Sequence, residues 1–149
     1  MTIGTICNRE VITVKAEATI FHAATLMRQY HVGDVVVIEE RNGKIIPIGI
    51  VTDRDIVIEL IATELDCKVI TNGDIMTKNL TVIKENVGIF EAIQLMATKG
   101  VRRLPVVDEN NGLCGIVTLD DLLMLLANEF NSLTKLISRE QKNEETKRH

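Results

Sequence analysis

The sequence predicts an α/β (α+β) fold of two pseudo-twofold-related β-α-β-β-α repeats that pack through their sheets. Three observations predict this fold: the chain repeats itself, both copies have the same order of apolar segments, and the central segments are continuously apolar. The chain of 149 residues is long enough for one body with a sizeable core. A single copy of about 60 residues would be only marginally stable, so we expect the two copies to pack together.

The repeat is visible as two pairs of matching segments. Phe21-x-Ala23-x-x-Leu26-Met27 recurs 69 residues later as Phe90-x-Ala92-x-x-Leu95-Met96, and Gly49-Ile50-Val51-Thr52 recurs 66 residues later as Gly115-Ile116-Val117-Thr118. The difference of three residues falls in the loop that precedes the second match. These spacings predict a first domain at 6–66, a short linker at 67–74, a second domain at 75–131, and a helix end with a charged tail at 132–149.

Each copy opens with a short strand and an amphipathic helix. The strands are predicted at Val11–Val14 and Leu80–Ile83. The helices are predicted at Ile20–Tyr30 and Ile89–Lys99, because their apolar residues recur at i, i+3, i+4 and i+7 and so share one face.

A β-hairpin follows in each copy. The predicted strands are Val35–Ile38 with Ile45–Val51 and Leu104–Val107 with Leu113–Val117. An Asn-Gly pair stands between the strands of both hairpins, and this pair is typical of a type I′ turn because both residues tolerate a positive φ. Continuous apolar strands are typical of sheets that are buried on both faces, so helices are expected to cover these sheets.

A second helix is predicted after Thr52 and after Thr118. Its apolar residues in Ile56–Ala62 and Leu122–Ala127 lie on more than one side, and a helix that is apolar all round must be buried all round. The sequence therefore predicts a homodimer through these helices. The segment Arg139–His149 has no large apolar residue, and we expect a frayed helix end or a disordered tail there.

Composition excludes several classes of function. The net charge of −4 and the aromatic content of 3% argue against nucleic-acid binding, which needs a basic face or stacking platforms. No apolar run is long enough to span a membrane, and the N-terminus lacks the basic and apolar regions of a signal peptide. Cys7, Cys67 and Cys114 have no paired spacing, so they are expected to be reduced, packing thiols of a cytoplasmic protein.

The chain lacks the usual catalytic and metal-binding motifs. The three histidines form no i, i+4 pair, and no Cys-x-x-Cys, Gly-x-Ser-x-Gly or phosphate-binding glycine loop is present. We therefore expect neither an enzyme nor a metal site.

Two Thr-x-x-Asp corners are the candidate functional motifs. Thr52 precedes Asp55, and Thr118 precedes Asp121, each where a strand runs into a helix. One interpretation is a helix cap, because Thr and an acid at this spacing resemble a capping box. The other is a ligand site, because a free carboxylate beside a helix N-terminus suits a ribose phosphate. A capping box prefers Glu or Gln, so the shorter Asp is expected to remain free for a ribose diol.

The repeated unit with these corners resembles the cystathionine-β-synthase (CBS) domain, and a tandem pair resembles a Bateman module. The resemblance extends over about residues 6–130. It is carried by Gly-Ile-Val-Thr-Asp-Arg-Asp at 49–55, Asp74-Ile75-Met76-Thr77, and Arg102-Arg103-Leu104-Pro105-Val106-Val107-Asp108. It implies a pseudo-twofold pair that often dimerises into a disc and binds an adenosine ligand such as AMP, ADP, ATP, S-adenosylmethionine or NAD, with no required cofactor.

The resemblance also implies binding residues in two clefts. Thr52 and Asp55 would serve one cleft, Thr118 and Asp121 the other, with Thr near phosphate or ribose and Asp on the ribose hydroxyls. The first strands would contact ribose or base, and Leu104-Pro105-Val106 would line the base pocket. The full candidate set is Thr13, Val14, Thr52, Arg54, Asp55, Thr81, Val82, Arg102, Arg103, Leu104, Pro105, Thr118 and Asp121.

The first copy departs from the family pattern. It has Gly33-Asp34 where the second has Arg102-Arg103, it lacks the proline, and Cys7 stands where the second copy has Met76. We therefore expect one high-affinity cleft and one that is weak or empty. The predicted function is a stand-alone regulatory module that senses an adenosine ligand and acts on a separate enzyme or transporter. The alternative is a ligand-free scaffold that dimerises and docks a partner protein.

Overall fold

The computed structural model describes residues 1–148 and confirms the predicted α+β fold of two repeats. The elements of the first half are α1 (Ile3–Ile6), β1 (Thr13–Lys15), α2 (Ile20–Tyr30), β2 (Asp34–Arg41), β3 (Lys44–Thr52) and α3 (Asp53–Ile56), which continues as a π-helix at Val57–Ile61. The elements of the second half are α4 (Asn72–Ile75), β4 (Ile83–Lys84), α5 (Ile89–Lys99), β5 (Arg103–Val107), β6 (Leu113–Thr118) and α6 (Leu119–Arg148).

Each repeat contains one three-stranded sheet with the same topology. The strand orders are β1-β2-β3 and β4-β5-β6, with the first pair parallel and the hairpin pair antiparallel. The register of both hairpins shifts at equivalent positions, after Val37 and after Val106. Helices α2 and α5 have the predicted bounds, whereas the first strands begin later than predicted.

The two hairpin turns differ. Asn42 and Gly43 both have positive φ values, 52° and 78°, as the type I′ prediction requires. The second hairpin has a longer loop, in which Asn111 has a φ of 67° but Gly112 is not in the left-handed region. The Asp108 carboxylate accepts hydrogen bonds from the backbone N–H groups of Asn110 and Gly112, at 2.8 and 2.9 Å. The type I′ prediction was therefore wrong for the second copy, where an aspartate-centred loop replaces the tight turn.

The core has three parts. One cluster lies between the sheet and helices of each repeat, with Val35, Val37 and Val51 central in the first and Leu104, Val106 and Val117 central in the second. The third cluster joins the repeats through their sheets and consists of buried Val36, Ile50 and Ile116 with partly buried neighbours. Strand residues thus alternate between a repeat's own core and the contact between repeats, which explains the continuously apolar sequence.

The segments that precede the first strands are exchanged between the repeats. In α1, the N–H of Ile3 donates to Val87 O and that of Gly4 to Glu85 O, both at 2.8 Å in the second half. In α4, the N–H of Asn72 donates to Ala18 O at 2.9 Å and that of Gly73 to Ala16 O at 2.8 Å, both in the first half. Each repeat is therefore completed by a segment that adjoins the other repeat in sequence.

The exchange explains the glycine in both Gly-Ile-Val-Thr motifs. A Cβ at Gly49 would lie 2.6 Å from Met76 Sδ, and a Cβ at Gly115 would lie 2.6 Å from Cys7 Sγ. Met76 and Cys7 are equivalent residues of the exchanged segments. Cys7 therefore does in one repeat the packing that Met76 does in the other.

Helix α6 is longer than predicted. It runs without interruption to Arg148, so the segment 139–148 is helical rather than a disordered tail, while His149 lies outside the described residues. From Leu126 to Lys147 every residue of this helix is exposed. No helix in residues 1–148 combines the length and apolar character that crossing a membrane requires.

Candidate ligand-binding cleft

A cleft lies between the repeats at the ends of β3 and β5, and we call it the Thr52 cleft. Its cavity has a volume of about 190 Å³. The first repeat contributes two lining residues and the second contributes the rest. The lining residues are Ile50, Thr52, Thr77, Asn79, Leu80, Thr81, Val101, Arg102 and Arg103. The cavity therefore brings together four of the predicted site residues: Thr52, Thr81, Arg102 and Arg103.

The corner acids do not stand free. Asp55 Oδ2 accepts a hydrogen bond from the Thr52 N–H at 2.9 Å, and the Asp55 N–H donates to Thr52 Oγ1 at 3.1 Å. Asp121 and Thr118 form the same reciprocal pair at 3.0 and 3.1 Å. The expectation that Asp is too short for a capping box was wrong, because side chains in a helix point back toward its N-terminus.

A third Thr-x-x-Asp corner supports the capping interpretation. Asp74 Oδ2 accepts a hydrogen bond from the Thr71 N–H at 3.0 Å at the start of α4. This backbone hydrogen bond lowers the pKa of Asp74 below its ordinary value. Because the motif also caps the four-residue helix α4, the pattern alone does not identify a ligand site. In all three corners Oδ2 of the aspartate accepts the capping hydrogen bond. The other carboxylate oxygen, Oδ1, of Asp55 and Asp121 takes no part in the capping box.

The two cleft arginines have different partners. Arg103 Nε donates to Asp34 Oδ2 at 2.6 Å, and both side chains are mostly buried, 33% and 20% exposed. Asp34 and Arg103 occupy equivalent positions in the two repeats, 69 residues apart. Because the first repeat has Asp34 where the second has an arginine, an ion pair forms at a place where two arginines would otherwise meet. Arg102 has only a long contact of 3.8 Å with exposed Asp120, which leaves its guanidinium accessible to a ligand.

Some predicted site residues lie elsewhere. Val14 is 4% exposed and belongs to the core of the first repeat, and Leu104 is 0% exposed and belongs to the core of the second. Their side chains therefore do not line the cleft. Val14 aligns structurally with Ile83, since they pair with the equivalent residues Val37 and Val106, so the predicted match with Val82 was one residue out of register.

The remaining candidates are outside the cavity lining. Pro105 is buried opposite Ile116 on the sheet face between the repeats, and Thr13 is half-buried on β1. Arg54 is exposed, and its backbone N–H donates to Asp53 Oδ1 at 2.8 Å. Val82 is also exposed, at 36%.

Several lining residues were missed by the sequence analysis. The apolar wall is formed by Ile50, Leu80 and Val101, and Thr77 and Asn79 add polar groups. Strand alternation could have identified Ile50, because it lies two residues before Thr52 and shares its face. Thr77 and Asn79 follow the exchanged helix α4, and their approach to β3 depends on a contact between repeats that periodicity does not show.

The equivalent positions of the other cleft have different chemistry. Where the Thr52 cleft has Asn79, Arg102 and Arg103, the positions 69 residues earlier have Glu10, Gly33 and Asp34. Across the pseudo-twofold axis one arginine is thus replaced by a glycine, the other by an aspartate, and the asparagine by a glutamate. The positions around Thr118 attract a phosphate less than those around Thr52.

The three cysteines are free and half-buried. Burial and a contact of 3.2 Å with Glu85 Oε2 raise the pKa of Cys114 to about 11. Burial also raises the pKa of Cys7. Both thiols are therefore protonated at neutral pH, which is typical of packing rather than reactive cysteines. No cluster of three or more potential metal ligands occurs within residues 1–148.

The family model for the CBS domain matches the chain twice, at residues 3–62 and 73–128. The chain belongs to the CBS domain family. Both matches extend into the exchanged segments, and together they include every residue that lines the Thr52 cleft. The repeats are thus a CBS pair, or Bateman module.

Known relatives agree with this assignment. The chain is 41% identical over 113 residues to the CBS domain-containing protein YhcV of Bacillus subtilis, covering 76% of each protein. It is 37% identical over 125 residues to the uncharacterized protein MK0525 of Methanopyrus kandleri, covering 84% of this chain but only 62% of that protein. Among solved structures, the CBS pair of MJ0100 in complex with 5′-methylthioadenosine and S-adenosyl-L-methionine has a TM-score of 0.74 at 25% identity, over 87% of this chain and 98% of that one.

Proposed function

We propose that this CBS pair is a regulatory module that binds an adenosine-containing ligand in the Thr52 cleft. One observation carries the proposal: a single cavity combines an apolar wall, the hydroxyls of Thr52 and Thr81, and the accessible guanidinium of Arg102. An aromatic base suits the apolar wall, ribose hydroxyls suit the threonines, and an anionic group suits the arginine. The cavity is smaller than the roughly 300 Å³ of a typical ligand pocket, so we assign only the base to it and the polar part to its rim.

The structural relative with 5′-methylthioadenosine and S-adenosyl-L-methionine supports an adenosine ligand. AMP, ADP, ATP, S-adenosylmethionine and NAD share the adenosine group and differ in charge beyond it. In this proposal Arg102 contacts the group beyond the ribose, because Arg103 is held by Asp34. The uncommitted Oδ1 of Asp55 is assigned to the ribose hydroxyls, while Oδ2 caps the helix.

We further propose that ligand binding regulates a separate enzyme or transporter in the cytoplasm, and that this chain is not itself an enzyme. The protonated Cys7 and Cys114 thiols and the lack of a metal-ligand cluster within residues 1–148 support a binding role over a catalytic one.

The module is proposed to be a homodimer through Ile56–Ala62 and Leu122–Ala127. Large apolar side chains on these helices are exposed, Ile61 at 68% and Met124 at 64%. Dimerisation would bury these side chains, which are exposed to solvent in a single chain. A mass equal to one chain at micromolar concentration in light scattering would contradict this assignment.

Calorimetric titration with the five adenosine ligands tests the proposal. Arg102→Ala is expected to weaken binding of an anionic ligand by about 10- to 150-fold, because one charge-assisted hydrogen bond of roughly 1.5–3 kcal/mol is lost. Arg28→Ala is the matched control, since Arg28 is an arginine on α2 and does not line the cleft. Equal affinities in both variants, or no binding of any of the five by the unaltered chain, would contradict the proposal.

Thermal unfolding gives an independent measure. A ligand at 100 times its dissociation constant stabilises the folded state by about 2.7 kcal/mol, which raises the melting temperature by roughly 5–10 °C for a chain of this size. The alternative function is a ligand-free docking scaffold. It is favoured by the use of Asp55 and Asp121 in capping boxes and by the exposed apolar side chains. A scaffold would show no such shift with any adenosine ligand.

A further inference from the structure

The distal part of α6, from Leu126 to Arg148, extends beyond the body of the molecule. Within it the large apolar residues are exposed, with Phe130 at 71%, Leu133 at 59% and Ile137 at 56%. In proteins most of the stability of a helix comes from the packing of its apolar face, and most of this face is unpacked in a single chain. The sequence therefore encodes a helix whose apolar residues need a surface to cover them.

The spacing of these residues specifies the kind of surface. Leu126, Phe130, Leu133 and Ile137 follow one another at intervals of four, three and four residues. This alternation is the a/d pattern of two packed helices. Leu123, 54% exposed, precedes the pattern by three residues and continues it toward the body. The covering surface is therefore another helix of the same period.

We propose that the distal part of α6 pairs antiparallel with the same helix of a second copy of this chain. In this arrangement Leu126 lies opposite Ile137 of the second copy, and Phe130 lies opposite its Leu133. Four apolar layers are then formed by Leu126, Phe130, Leu133 and Ile137 of the two copies, and Leu123 lies at the level of Glu140 of the second copy. The proposal goes beyond ligand binding, because it concerns a segment of which all but the first three residues follow the second matched CBS repeat.

Charge favours the antiparallel direction. The a/d pattern continues after Ile137 with Glu140 and Glu144, so parallel helices would place each glutamate opposite the same glutamate of the second copy. In an antiparallel pair Glu140 and Glu144 lie at the levels of Leu123 and Leu119 of the second copy, so the glutamates no longer face each other. Lys142 lies at the level of Asp121 of the second copy, which gives one opposite-charge pair.

The body of the molecule has a groove at the level of α6 that the second copy's helix would reach. A groove of about 340 Å³ lies beside the start of α6 and is lined by Met1, Gly88, Ile89, Phe90, Glu91, Leu125, Leu126 and Glu129. Phe90 is 75% exposed there. Antiparallel pairing brings Leu136 and Ile137 of the second copy to this level. The groove therefore extends the apolar contact from α6 onto α5.

Disulfide cross-linking tests both the pairing and its direction. In Leu126→Cys/Ile137→Cys, oxidation is expected to join two chains, because each new cysteine faces the other one of the second copy. Neither single variant is expected to cross-link, since equal positions of antiparallel helices would be about 16 Å apart along the axis. The unaltered chain controls for its own three cysteines. Cross-linking of the single variants indicates parallel helices and would overturn the proposal.

Charged substitutions give the second arm. Phe130→Glu/Leu133→Glu is expected to abolish the cross-link and to raise the dissociation constant of the dimer at least tenfold. Asn128→Glu/Asn131→Glu adds the same charge away from the a/d face and is expected to change neither. If the double-cysteine chain stays uncross-linked while light scattering gives the mass of two chains, the body alone holds the dimer and the proposal is overturned. Calorimetry on the same variants keeps this outcome separate from ligand binding.

Discussion

The two repeats share a fold but use the same positions for different chemistry. Asp34 of the first repeat and Arg103 of the second are equivalent, and they form one ion pair across the pseudo-twofold axis. Gly33 and Arg102 are the next equivalent pair, and only Arg102 reaches the cavity. Differences at two neighbouring positions thus make the two clefts of a duplicated unit chemically different, while the backbone that frames both clefts stays the same.

Breaking the ion pair has the largest expected effect on this asymmetry. Asp34→Ala leaves the Arg103 guanidinium mostly buried without its partner, which is expected to lower the free energy of unfolding by about 1.5–3 kcal/mol. It also frees Arg103 to contact a ligand, so the affinity for an anionic adenosine ligand is expected to rise. Urea unfolding and calorimetry measure the two effects.

Asp53→Ala is the control for that variant, because Asp53 is an exposed acid near Gly33 that pairs with neither cleft arginine. A fall in ligand affinity in Asp34→Ala with the fold preserved would contradict the role given to Arg103.

The exchanged segments give the next largest effect. Gly49→Ala and Gly115→Ala are each expected to destabilise the protein by about 1–3 kcal/mol, because the added Cβ overlaps Met76 or Cys7. Removing the side chain that the added Cβ overlaps should restore stability to different extents in the two repeats. Cys7→Ala removes the sulfur nearest to Gly115 and leaves Asn8 O at 3.0 Å and the residue 7 Cβ at 3.3 Å from the added Cβ. Met76→Ala retains the Met76 Cβ, which would lie only 2.8 Å from a Cβ at Gly49. Urea unfolding of the four single and two double variants measures this difference, and equal rescue in both would contradict it.

The corner acids separate capping from ligand binding. Asp55→Ala and Asp121→Ala each remove a capping box, so both are expected to lower the free energy of unfolding by about 0.5–2 kcal/mol. Only Asp55→Ala is expected also to weaken ligand binding, because Thr52 lines the cavity and the Thr118 positions lack basic residues. Calorimetry on both variants checks this. Equal, tight binding at two clefts of the unaltered chain would contradict the asymmetry.

The cysteines give the smallest effect at neutral pH. Replacing Cys7, Cys67 and Cys114 together by Ala is expected to leave ligand binding intact. The pKa of Cys114 is raised from 9.0 to about 11, so the folded state holds its proton more tightly than the unfolded state. The resulting stability is present below pH 9 and is lost as the pH rises toward 11. Unfolding of the unaltered chain and Cys114→Ala across this range measures it, and identical pH dependence would contradict the raised pKa.

Sequence periodicity was sufficient to predict the order of helices and strands, but not the contacts between them. The bounds of α2 and α5 follow from apolar spacing and were predicted correctly. The positions of Val14 and Leu104 were predicted from resemblance, and both residues belong to a core instead, because one step along a strand reverses the side chain.

The cleft was predicted only in part for a related reason. Thr52, Thr81, Arg102 and Arg103 stand in motifs that local sequence can reveal. Asn79 and Leu80 reach the cavity only because α4 packs on the other repeat, and no local pattern encodes that exchange. The role of Asp34 depends on a contact with Arg103, 69 positions away. The sequence showed that Asp34 departs from the pattern of the second copy, but not that Arg103 is its partner.

The exchange of α1 and α4 also constrains the order in which the chain can fold during synthesis. The first sheet lacks the residues that cover Gly49 until Met76 has left the ribosome, well after the last strand of that sheet has been made. The second sheet needs a segment near the N-terminus, which must stay available until β6 is complete. The first half can therefore close only after α4 has been made, and the second only after β6, and a chain stopped before Met76 would expose the unfinished surface of the first sheet.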